Sequence, residues 1–180
     1  YFDTHRSPLN PNNSKFGFYV YGNFPVTLVR ILGEWAGKTD YFNVYLVGRL
    51  TSAVMDIAVI LLVFGIAATL LDWRAGLAAA ALYAFSALPV QQAHFYTSDP
   101  PANFFGTAAF YFATRLFRRH RWLDYAAFGL LLGLAMASKI SMVPLAGVLI
   151  LALSLRIWNE TRQEQASSPE MPPTRTWQAR

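Results

Sequence analysis

Apolar residues in this chain fall in long runs separated by short polar breaks, a pattern set by the thickness of a membrane. From Asn43 to Leu71 it reads NVYLVGRLTSAVMDIAVILLVFGIAATLL, with Arg49 and Asp56 as its formal charges. A helix needs roughly 20 apolar residues to cross a hydrocarbon core about 30 Å thick, so this run predicts a span. Asp72, Trp73 and Arg74 then break the pattern. A second run opens at Gly76 as GLAAAALYAFSALPV, turns polar through Gln91, Gln92 and His94, and ends at Asp99-Pro100-Pro101. A third, Ala102 to Phe117, leads into Arg118, Arg119, His120 and Arg121. The last, Tyr125 to Trp158, would be roughly 50 Å long as one helix, too long for a single span. Ser138-Lys139-Ile140-Ser141 interrupts it, with Pro144 just beyond. A lysine is costly at mid-bilayer and cheap at a surface, so the run divides into two helices turning near Lys139. The pattern predicts an all-α, polytopic membrane helical bundle with about five spans.

Basic residues orient these spans. With the loops at Arg74, at Arg115 to Arg121 and after Arg156 in the cytoplasm, the cations lie where the positive-inside rule wants them. The turns at Asp99 and Lys139 then face the other side, together with residues 1–42. That parity calls for a further span upstream of Tyr1, so the sequence reads as an inner piece of a longer chain in the plasma membrane. Residues 1–42 read as an extracytoplasmic loop, residues 43–158 as the membrane region and residues 159–180 as a flexible cytoplasmic loop. After Pro25, VTLVRILGEWAGK places Leu28, Ile31, Leu32 and Trp35 on one helical face and Arg30, Glu34 and Lys38 on the other. Two structures suit that pattern: a helix in the membrane interface anchored by Trp35, or a small amphipathic helix packed on its own domain.

Composition narrows the function. Of 180 residues, 54% are hydrophobic and only 14% charged, against about a quarter charged in soluble domains. Net charge is +5, but the 15 Lys and Arg residues are dispersed and form no basic face for nucleic acid. The absence of cysteine excludes a disulfide scaffold, thiolate zinc sites and cysteine nucleophiles. No Walker loop, GxGxxG, HExxH or GxSxG motif occurs.

What remains is a set of polar residues in or beside apolar runs, each a functional suspect with a structural rival. Arg49, Ser52 and Asp56 share a helical face, but Asp56 lies roughly 10 Å further along the axis than Arg49, so it either meets a partner on a neighbouring helix or is protonated. Gln91, His94 and Ser98 share a second face, after a kink at Pro89 and before Pro100-Pro101. Lys139, at the same outer surface, either holds a phosphate or snorkels to headgroups. Asp56 and Asp99 are expected in opposite halves of the membrane, and so not as a carboxylate pair.

In order along the chain these stretches resemble membrane glycosyltransferases of the protein O-mannosyltransferase and aminoarabinose-transferase type, which are C-type enzymes. The resemblance is carried by Phe18-Tyr19-Val20-Tyr21-Gly22-Asn23-Phe24-Pro25, Gly48-Arg49, His94-Phe95-Tyr96 with Asp99 and Phe104-Phe105, and GLLLGLAMASKISMVPL around Lys139. It implies inverting transfer of a sugar from a polyprenyl-phosphate donor to a protein or glycan hydroxyl at the outer face of the bilayer. It also implies a general base on an Asp-Glu pair early in the first outer loop. Asp3-Thr4 is not that pair, so the base is expected upstream of Tyr1. Asp99 is then the second acidic residue of the site, with His94 and Gln91 beside it. Lys139 and Arg49 are candidates for the phosphate, and Tyr19 and Tyr21 for the sugar-facing loop. The leaving phosphate needs cations or a metal, so a divalent ion is the cofactor left open. A transporter or flippase for a lipid-linked or anionic substrate, and a scaffold with structural charges, are the competing functions.

Overall fold

The computed structural model describes residues 21–119 and 121–167. Its helices are α1 (Phe24–Trp35), α2 (Tyr41–Leu70), α3 (Trp73–Ala84), α4 (Ala87–Ala93), α5 (Asp99–Arg118), α6 (Trp122–Ser138) and α7 (Ala146–Ser167), with a 3₁₀ turn at Ile140–Leu145 before α7. Side-chain caps start two of them at the polar breaks. Asp40 accepts from the Asn43 amide at the start of α2, and Asp72 accepts from the Ala75 amide at the start of α3. Pro100 and Pro101 sit in the first turn of α5, where their missing N–H groups are unsatisfied in any helix, so α5 begins at Asp99 rather than after the prolines.

Among the described residues, two helices are long and apolar enough to cross a membrane, Phe42–Leu70 and Ile140–Arg162. Neither is a soluble core helix. On α2, Gly48, Ser52, Met55 and Val59 face inward, while Leu46, Leu50, Val54, Ile57 and Leu61 are 54–67% exposed. A continuous apolar face of this kind marks contact with lipid or another protein. The remaining expected spans are shorter or more polar. The second run is split at Phe85-Ser86 into α3 and α4, because Pro89 cannot donate a helical bond and must sit in the first turn of a new helix. The last run divides near Lys139, as expected: α6 ends at Ser138 and Lys139 is extended (φ −156°, ψ 120°).

Helix α5 is central, packed between α2 on one side and α6 and α7 on the other. Its small residues Ala102, Ala109 and Ala113 are at most 1% exposed, which lets neighbouring backbones approach closely. Phe105 joins Met55 of α2 and Ala135 of α6, and Phe128 packs on Ala109 and Ala113. At the basic end, Arg115 pairs with the buried Asp124 at 3.2 Å and Arg156 donates to the Leu116 carbonyl at 3.2 Å.

Helix α1 presents a different inner face from the expected one. Pro25, Val29 and Gly33 are buried, Leu28 and Leu32 are half-buried, and Ile31 and Trp35 are exposed. The helix is apolar on two sides, so packing on its own bundle and an outward aromatic coexist. Arg30 and Glu34 pair across one turn at 2.6 Å.

Candidate functional site

The polar end of the bundle is assembled by three close backbone approaches. Residues 21–22 lie antiparallel to the turn after α6: Tyr21 bridges Lys139, and the Gly22 amide donates to the Ser138 carbonyl at 3.0 Å. A Cβ on Gly22 would collide with the Ala137 carbonyl, so glycine is required there. At Gly48 the missing side chain makes room for the Tyr96 ring, whose hydroxyl donates to the Pro25 carbonyl. Ser52 completes the clamp by donating to the Phe95 carbonyl at 3.2 Å. The segment leading to Asp99 is thereby tied to both α1 and α2.

That clamp places Asp99 against the opposite turn. Lys139 Nζ donates to Asp99 Oδ1 at 2.6 Å, across forty residues of sequence, and lies 5.5 Å from the centre of the Tyr21 ring. The carboxylate contact holds the ammonium above its usual pKa, outweighing the opposing effect of its partial burial. Asp99 is also in the first turn of α5, where the helix dipole favours a negative charge. The two turns read from sequence as lying on one side of the membrane are in direct contact.

Beside this pair a cleft of about 450 Å³ opens between α2, α3, α4 and α5. Asp99 and Lys139 line it together with Asp56, Tyr83, Gln92 and Asn103, over apolar walls that include Val59, Leu88 and Pro100. Asp56 and Asp99, expected from sequence in opposite halves of the membrane, line one and the same cleft. The break between α3 and α4 leaves the bundle open down to the middle of α2, which periodicity along single helices could not reveal. Asp56 finds its partner on a neighbouring helix, accepting from the Tyr83 hydroxyl at 2.9 Å, and Asn103 Nδ2 donates to the same hydroxyl at 2.8 Å.

The other residues singled out from sequence are placed elsewhere. His94 caps α4 with its ring at 2.7 Å from the Val90 carbonyl, and Gln91 is exposed; neither lines the cleft, while Gln92 does. The helix stops at Ala93, so the shared face expected for Gln91, His94 and Ser98 does not form. Arg49 lies over the Tyr45 ring, 5.5 Å from its centre, outside the cleft. Tyr19 lies outside the described residues. Tyr83 and Asn103 were not singled out. Asn103 is legible in retrospect, one helical turn after Asp99, whereas nothing local marks Tyr83. Among the described residues no three His or carboxylate side chains converge.

Residues 42–168 match the family described as dolichyl-phosphate-mannose-protein mannosyltransferase. The chain belongs to that family. It is a glycosyltransferase, a membrane mannosyltransferase using a polyprenyl-phosphate donor, as the resemblance of its motifs implied. The transporter and scaffold readings give way to it. The match includes α2 through α7, and hence Asp56, Asp99 and Lys139, but not α1 or Tyr21. No curated protein and no solved structure matches the chain.

Proposed function

We propose that the cleft receives the head of a polyprenyl-phosphate mannose, with Lys139 on the phosphate and Asp99 holding Lys139 in place. The ion pair at the mouth of the cleft carries this reading. An ammonium has three N–H donors, and Asp99 takes one, which leaves donors for phosphate oxygens. The lipid tail extends along the exposed apolar faces of the bundle. An acceptor hydroxyl attacks the anomeric carbon from the side opposite the phosphate. The new C–O bond forms as the bond to phosphate breaks, the electron pair leaves with the lipid phosphate, and the hydroxyl proton passes to a carboxylate base. Asp99, engaged by Lys139, serves the donor rather than acting as that base. Charge building on the leaving phosphate is stabilised by the ammonium, so Lys139 contributes more in the transition state than in the ground state.

The same reading places the Asp99–Lys139 end at the extracytoplasmic face of the plasma membrane and the Arg115, Arg118 and Arg156 end in the cytoplasm. About five segments then cross: α2, the α3–α4 pair, α5, α6, and the 3₁₀ turn with α7. A protein hydroxyl is the acceptor that fits the family name.

The test is donor binding and mannosyl transfer by the full chain in nanodiscs. Hydrogen bonds to charged groups contribute about 1.5–3 kcal/mol, so Lys139→Ala is expected to weaken polyprenyl-phosphate mannose binding by roughly 10- to 150-fold. Asp99→Asn is expected to slow transfer as well. Unchanged donor affinity in Lys139→Ala would remove the phosphate from this end of the cleft.

A further inference from the structure

The cleft has a second polar end that the phosphate contact leaves unused. Asp56 stands near the middle of the long apolar helix α2 and is half-buried. Its Oδ1 accepts from Tyr83 of α3, Tyr83 accepts from Asn103 of α5, and Asn103 Oδ1 accepts in turn from Thr107 Oγ1 at 3.4 Å. Three helices thus contribute to one chain of hydrogen bonds whose first three members all line the cleft. The chain is incomplete. Among the described residues, Asp56 Oδ2 has no partner, and Asn103 has a second N–H uncommitted. An ionised carboxylate accepts at about four positions, so a single phenol leaves most of its capacity open to the cavity. A carboxylate in an apolar helix is costly to keep, which makes a purely passive role a poor explanation.

The two ends of the cleft differ in charge. At one, the Lys139 ammonium is paired with Asp99 and has N–H donors to spare; at the other, the Asp56 carboxylate has a phenol but no cation beside it. An anionic ligand group is drawn to the first and repelled by the second. A neutral group rich in O–H donors satisfies Asp56, while the spare Asn103 N–H and the Gln92 amide can donate to its oxygens. Apolar walls at Val59, Leu88 and Pro100 suit the C–H faces of a ring. A volume of about 450 Å³ lies within the range of small-molecule sites, roughly 300–1,000 Å³. A sugar esterified to phosphate has this polarity: a neutral polyol beside an anion.

We infer that Asp56, Tyr83 and Asn103 form the sugar-ring subsite, in which Asp56 Oδ2 accepts from ring hydroxyls and Asn103 donates to a ring oxygen. The assignment rests on the reading that Lys139 holds the phosphate, and it makes these three residues determinants of which sugar is accepted.

Equilibrium binding of two probes to the full chain in nanodiscs separates the possibilities: polyprenyl-phosphate mannose, and polyprenyl phosphate without sugar. Asp56→Asn and Asn103→Ala are each expected to weaken the mannose-bearing probe by roughly tenfold and to leave the bare phosphate within about twofold. Equal loss for both probes, or no loss for either, overturns the subsite and returns Asp56 to a structural role. Asn103 is exposed in the cleft, so Asn103→Ala carries the test if Asp56→Asn does not fold. Lys139→Ala should weaken both probes. If it weakens neither while Asp56→Asn still discriminates between them, the phosphate assignment fails and the sugar subsite stands.

Discussion

Substituting Gly48 with alanine adds one methyl group at the point on which the geometry of the cleft depends. A Cβ built there lies 2.7 Å from Tyr96 Cγ, 2.9 Å from its Cβ and 3.1 Å from its Cδ1. Carbon atoms rest comfortably at about 3.5–4.0 Å, so the ring and α2 must separate by close to 1 Å. The ring has little freedom to retreat. Its hydroxyl is bonded to the Pro25 carbonyl, and the preceding carbonyl is held by Ser52. Overpacking of this kind costs about 1–3 kcal/mol, and loss of the hydrogen bond adds about 0.5–1.5 kcal/mol. A destabilisation of about 2–4 kcal/mol follows, seen as a fall in Tm of roughly 4–16 °C for a chain of this size. Thermal unfolding of the purified protein in nanodiscs measures it. Asp99 lies three residues beyond Tyr96, so donor affinity is expected to drop as well.

Two companion variants make the reasoning vulnerable. Gly129 in α6 has open space where its Cβ would be, so Gly129→Ala should be neutral or stabilising by up to about 1 kcal/mol through helix propensity. Tyr96→Ala removes the ring contacts and releases the segment from Pro25. The Gly48→Ala/Tyr96→Ala double variant should therefore be at least about 1 kcal/mol less destabilised than the sum of the single changes. Strict additivity, or a Gly48→Ala protein as stable as the parent, would refute the claim that Gly48 exists to seat Tyr96.

Two further outcomes are expected. Asp124 is 2% exposed and its Oδ2 has no hydrogen-bond partner among the described residues, so the Arg115–Asp124 pair is fragile. Asp124→Ala should cost about 2–3 kcal/mol in thermal unfolding by stranding Arg115, while Asp124→Leu combined with Arg115→Met should return close to the parent; equal stability of all three would show that the pair does not join α5 to α6. The second concerns pH. Asp99 holds the Lys139 ammonium above its ordinary pKa of 10.5, so the contribution of the pair is complete below that value and is lost as pH rises through the raised one. As far as Lys139 is concerned, donor binding should hold steady from about pH 7 to about pH 9 and weaken only in strongly alkaline solution. A loss in Lys139-dependent affinity centred near pH 8 would contradict the ion-pair geometry.

Much of the architecture was legible along the chain because it depends on local properties. Run length and hydropathy marked α2 and α7, the polar break at Asp72 to Arg74 marked the boundary between α2 and α3, and Lys139 with Pro144 marked the turn before α7. The site was legible in part for the same reason. Asp99 and Lys139 stood out as charges at the ends of apolar runs, and the structure brings them to 2.6 Å. Gln91 and His94 were drawn in by assuming that one helical face continues through His94. The helix ends at Ala93, and a single-residue change of register exchanges Gln91 for Gln92 at the cleft.

The sequence by itself determined that this chain is a helical membrane protein, which end of each helix carries charge, and the family to which its motifs belong. These follow from burial energetics and backbone hydrogen bonding, which act residue by residue and leave a periodic record. Only the tertiary structure decided that Asp56, Tyr83 and Asn103 meet in the cleft that Asp99 and Lys139 also line. That meeting depends on how α2, α3 and α5 are rotated about their axes and on how far the gap between α3 and α4 extends into the bundle. Both are fixed by contacts between residues far apart in the chain, such as the Tyr96 ring against Gly48 and residues 21–22 against the Lys139 turn. Helical periodicity specifies which side chains share a face, but only packing decides what that face meets.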